Sequence, residues 1–139
     1  MSLILDASVA AKWFNFEELS ERAVEFKQAF VEGDVEFAAP THIIYEVGNS
    51  IWKNPQLTDR DASDAIVSLT RLGLDLLQPT IERSARVMEI ARTKRTTFYD
   101  AAYLQAAEEL KRTLLTADQA QVAAAKGIAK IIHLKDAKL

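Results

Sequence analysis

At 139 residues and 49% hydrophobic content, the chain is long enough to bury one substantial core and too apolar for disorder. It has no cysteine and only two histidines, His42 and His133, which excludes disulfides and thiolate sites and argues against histidine-rich zinc, so any metal must be held by oxygens. The net charge of −3 hides seven acids against two bases over 17–36 and six bases against two acids over 111–139; solvated helix faces account for both blocks, and the basic one also suits a polyanion. The opening MSLILDASVAAKWF is interrupted by Asp6 and Lys12, against a signal peptide, and nowhere do 18 apolar residues run together. The expected location is the cytoplasm, with no membrane partner.

LILDAS is a short apolar run ending in Asp6 and reads as a buried strand, after which ASVAAKWF starts a helix. LSERAVEFKQAFVEG places Leu19, Ala23, Phe26 and Phe30 at helical spacing, and Gly33-Asp34 closes it. VEFAA is a second strand. After Pro40, THIIYEVGNSIWK reads as a helix with Ile43, Ile44, Val47 and Ile51 inward. Glu46 falls on its polar side with His42, Asn49, Ser50 and Lys53, the place of a solvated acid. DRDASDAIVSLTRLG, capped at Thr58 or Asp59, gives a helix, LDLLQP a short strand, and TIERSARVMEIARTK a helix with Ile81, Ala85, Val87, Met88 and Ala91 mostly inward. The next helix starts in TTFYDAAYLQAA and runs to about Arg112. TLLTAD is a strand ending near Asp118, AQVAAAKG a short helix stopped by Gly127, and AKIIHL a last strand.

This alternation argues a mainly parallel sheet of about five strands covered on both faces, and with no linker or repeat the expectation is a single domain over 1–139. In such sheets the ligand crevice lies beyond the carboxyl ends of the strands, where Asp6 and Asp118 fall. Either acid also reads as a turn or capping residue. Asp100 sits along the edge of the buried face of its helix, a costly place for an unpaired charge. It is a helix cap, or it meets a donor, a cation or solvent. It reaches the crevice only if its helix packs against that edge.

LILDASV with Asp6, HIIYEVGNSIW with Glu46, TTFYDAAYLQAA with Asp100 and LLTADQ with Asp118 together resemble the PIN-domain nucleases, in particular the VapC-type toxins of toxin–antitoxin pairs. The resemblance covers nearly the whole chain, and Ser8, Asn49 and Thr116 also stand where that family places small polar residues. It implies a three-layer α/β/α sandwich with Asp6, Glu46, Asp100 and Asp118 in one pocket, holding Mg²⁺ or Mn²⁺ and cutting RNA. The chemistry suits the composition. Hard divalent ions take oxygen ligands, relieve the repulsion of clustered carboxylates, acidify a water and stabilise charge on a scissile phosphate. The resemblance further implies a homodimer and a small antitoxin whose C-terminal segment blocks the acids.

Arg92, Lys94 and Arg95 directly precede Asp100 with no acid between Ile90 and Tyr99, which suits either RNA phosphates or a basic helix C-terminus. Trp13, Phe14 and Phe16 suit either the core or a groove for a partner peptide. His42 shares a face with Glu46 one turn away and reads as a partly exposed helix residue. Two rival readings are a receiver-like phosphotransfer domain and a PIN fold that binds without cutting. The first needs adjacent acids after the first strand and one after a middle strand, which LILDAS and LDLLQP lack; all four acids argue against the second.

Overall fold

Five short strands and seven α-helices alternate along residues 1–139 in the computed structural model of the chain. The strands are β1 (Ser2–Leu5), β2 (Glu36–Pro40), β3 (Asp75–Leu77), β4 (Thr113–Thr116) and β5 (Ile131–His133). They form one sheet in the order β3-β2-β1-β4-β5, and every neighbouring pair is parallel. The helices are α1 (Ala7–Ala10), α2 (Ser20–Glu32), α3 (Ile43–Trp52), α4 (Asp59–Arg71), α5 (Ile81–Lys94), α6 (Phe98–Leu110) and α7 (Gln119–Ala124). The α/β architecture read from the alternation is the one observed. No helix is long and apolar enough to cross a membrane.

The central strands are apolar on both faces because both are covered: Leu3, Ile4 and Leu5 of β1 and Leu114 and Leu115 of β4 are all buried. From β1 the chain builds β2 and β3 on one side, then crosses over to place β4 and β5 on the other. The order therefore switches between β1 and β4, which opens a crevice beyond their carboxyl ends. Helix α6 lies across β1, β2 and β4, with Ala101, Tyr103, Leu104, Ala106 and Ala107 buried. Its alanines allow close approach to the sheet, so its first turn, carrying Asp100, reaches that crevice.

Helix α5 departs from the expected burial. Val87 and Ala91 face inward, together with Ile90, but Ile81 is 87% exposed, Met88 50%, and Ala85 is exposed too. The helix packs on α6 through a single stripe, and the rest of its contact is ionic: Arg83 pairs with Glu109 at 2.9 Å and Arg86 with Glu108 at 2.7 Å. The aromatic cluster also divides. Trp13 is buried and donates its Nε1–H to the Ala23 carbonyl at 2.9 Å, whereas Phe16 is 92% exposed.

Candidate active site

Asp6 ends β1 at the crevice, almost fully buried. Two hydroxyls donate to the same carboxylate oxygen, Oδ2: Ser8 at 2.5 Å and Thr116, at the end of β4, at 2.8 Å. Each hydroxyl is itself fixed by a backbone amide of the β4–α7 turn, Ala117 N–H donating to Ser8 Oγ at 2.9 Å and Asp118 N–H to Thr116 Oγ1 at 3.0 Å. Oδ1 has no partner within the chain. Burial pushes the Asp6 carboxyl up to about 6; the two hydroxyls pull it back, and the charges of Asp100 and Glu46 push it further up.

Asp100 is not the cap of its helix. Thr97 is: its Oγ1 accepts from Asp100 N–H at 3.0 Å, which places Asp100 one turn in, with its half-buried carboxylate within the field of Glu46 and Asp118. Burial raises the Asp100 carboxyl above its ordinary range, followed by the charges of Glu46 and Asp118. Gln121 of α7, buried, donates from Nε2 to the Asp100 carbonyl at 2.9 Å and so ties the two helix starts together. Asp118 caps α7, its Oδ1 accepting from Ala120 N–H at 2.9 Å.

Glu46 faces inward, contrary to the solvated position its helix pattern indicates. Tyr103, fully buried on α6, donates its hydroxyl to Glu46 Oε1 at 2.7 Å, and His42 Nε2 lies 3.0 Å from the same oxygen. His42 Nε2 is also 3.1 Å from the Tyr99 carbonyl. A carbonyl can only accept, so this nitrogen carries the proton and its hydrogen bond goes to Tyr99, with Glu46 beside it; Tyr103 is what ties Glu46 to α6. Burial and the charges of Glu46 and Asp6 keep the Tyr103 phenol protonated well beyond its ordinary range.

Each anchored acid is thus tied through one oxygen, with Asp6 Oδ1, Glu46 Oε2 and Asp118 Oδ2 left without protein partners. No three of the acids are drawn round a common point to cage an ion. The donor set fits a hard divalent ion that takes one or two carboxylates and completes its shell with water. Asn49 lies one turn beyond Glu46, exposed and without a hydrogen bond to any of the acids. Arg92 and Arg95 are exposed, while Lys94 donates to the Lys126 carbonyl at 2.5 Å just past α7. Of the residues that sequence reasoning passed over, Thr97 is legible in the T-x-x-D start of α6, whereas Tyr103 and Gln121 carry no local signal.

The PIN domain family model matches residues 3–127. Ribonuclease VapC3 of Pyrobaculum aerophilum is 32% identical over 127 residues, covering 86% of this chain and 91% of that protein. Among solved structures, PAE2754 from the same organism superposes with a TM-score of 0.70 at 24% identity, over 97% of this chain and 90% of the other. VapBC2 from Rickettsia felis, bound to a DNA fragment from their promoter, also gives 0.70, at 10% identity and with 96% and 98% covered. The family match runs from the first strand past the last helix, across every acid at the crevice, and the chain belongs to the PIN domain family.

Proposed function

We propose that the chain is an Mg²⁺- or Mn²⁺-dependent endoribonuclease and the toxin of a VapBC-type pair, folded as one nuclease domain over 1–139. The observation that carries this reading is the set of carboxylates each held through one oxygen with the other free at the switch point of the sheet. The name of Ribonuclease VapC3 and the VapBC2 complex support it, and family membership removes the receiver-like alternative.

In this reading Asp6 and Asp100 are the main metal ligands, with Asp118 a further or water-mediated one. Ser8 and Thr116 aim the Asp6 carboxylate by holding Oδ2. Glu46, held by Tyr103 with His42 beside it, orients a water through Oε2 or completes a second ion site. Bound metal supplies Lewis acidity toward water and the scissile phosphate. Asn49 supports from the α3 side, and Arg92 and Arg95 reach phosphates of the strand. A small antitoxin and a second copy of the chain are the expected protein partners. Exposed apolar side chains at Phe16, Tyr45 and Trp52, and at Ile81 and Met88, offer surfaces for them.

The test is cleavage of single-stranded and structured RNAs with Mg²⁺, Mn²⁺ or chelator. Activity is expected with either ion and none with chelator or in a folded Asp100→Asn variant; undiminished cleavage by that variant sinks the assignment.

A further inference from the structure

A second concavity lies beside the acids. It is a cleft of about 210 Å³ between the carboxyl ends of β2 and β3 and helices α5 and α6, walled by Pro40, Leu77, Val87, Phe98, Tyr99 and Ala102. We propose that it is a nucleobase subsite, holding one base of the substrate strand while the adjoining phosphate lies at the acids. The proposal rests on RNA being the substrate at that edge.

Continuity comes first. His42 forms part of the cleft wall and lies 3.0 Å from Glu46, and Tyr99 immediately precedes Asp100. Cleft and acids therefore share a wall. Aromatic surface is left open on it: Phe98 is 42% exposed and Tyr99 61%, and the His42 ring stands 5.5 Å from that of Tyr99. Aromatic faces left open on a helix start are stacking platforms for bases. Charge narrows the occupant further. Arg83 is the one lysine or arginine in the lining, and Glu109 takes its Nε and Nη2 at 3.0 and 2.9 Å while its Nη1 donates to the Gln78 carbonyl at 2.9 Å. An anion gains little from a guanidinium already neutralised, so the cleft suits a neutral group. Thr41, Gln78 and Ser84 add side-chain donors and acceptors that make no hydrogen bond within the chain, as the edge of a base requires. The volume lies below the roughly 300 Å³ at which drug-sized sites begin, room for one ring system.

The experiment uses the full chain, an oligonucleotide it cuts, and copies carrying one abasic nucleotide at each position around the cut. Stacking of one base is worth roughly a 5- to 140-fold change. One abasic position should lower wild-type kcat/KM by that factor. Tyr99→Ala should lower kcat/KM for the intact strand similarly, cause no further loss on that abasic strand, and be rescued by Tyr99→Phe. A second readout needs no cleavage: 2-aminopurine at the same position should be quenched on binding to the Asp100→Asn variant, and less so when Tyr99→Ala is added. Quenching of this kind without wild-type cleavage supports the subsite while removing the nuclease reading. Cleavage indifferent to every abasic position, or a Tyr99→Ala loss equal on intact and abasic strands, overturns the subsite and leaves the nuclease standing. A Tyr99→Ala change that alters only the sedimentation of the protein overturns it too, and marks the face as a protein contact.

Discussion

Asp6 meets two hydroxyls on one oxygen and nothing on the other, and is almost fully buried. Its carboxyl stands at about 6 against an ordinary 3.8, so between about pH 4 and pH 6 the folded protein keeps a proton that the unfolded chain has released. This group's favourable contribution to folding is therefore fully present below pH 4 and lost as pH rises through 6. The shift corresponds to about 3 kcal/mol. Without divalent ions, Asp6→Asn should exceed wild type in stability by about that amount at pH 7.5 and by nearly nothing at pH 4, measured by urea unfolding at both values. A gain independent of pH would assign the effect to packing. Mg²⁺ or Mn²⁺ should raise the melting temperature of wild type more than that of Asp6→Asn, since the amide oxygen offers the ion an uncharged and weaker ligand. Tyr103→Phe should cost about 1 kcal/mol and lower kcat with KM little changed, because Glu46 loses its buried donor.

At the scale of elements, α6 places Asp100 through its cap. Thr97→Ala should destabilise the protein by about 1 kcal/mol and Thr97→Ser restore it, as read by thermal unfolding. The presence of this helix was legible, but the only cap the sequence reading offered was Asp100, where Thr97 caps instead; β1 and β4 were legible because strands covered on both faces are apolar without alternation. Glu46 was not. Its inward turn depends on a phenol 57 residues away, and helical periodicity reports only the face a residue shares with its neighbours. Helix α5 misled for a related reason: Ile81 and Met88 make an apolar stripe, yet Glu108 and Glu109 on α6 orient the helix by capturing Arg86 and Arg83. Both ionic partners of Arg86–Glu108 remain over a third exposed, so water screens the pair. A double-mutant cycle with Arg86→Met and Glu108→Gln should return less than about 1 kcal/mol of coupling.

For the whole molecule, a net charge of −3 opposes a polyanionic substrate, and the exposed arginines before α6 offset it locally. Arg92→Gln and Arg95→Gln should each reduce the slope of log affinity for single-stranded RNA against log salt by about 0.7. Lys94→Gln should leave the slope unchanged and lower stability instead, since its ammonium already holds the Lys126 carbonyl. The order of the sheet also sets when the acids come together. β1 is the first strand made and the central one in place, and the hydroxyl that steadies Asp6 comes from Thr116, 110 residues later. A chain emerging from the ribosome can form α2 and pair β1 with β2, but it has no second wall for Asp6 until β4 is free to pair. On the nuclease reading, topology acts as a timer: the acid edge does not exist while most of the message is still being read.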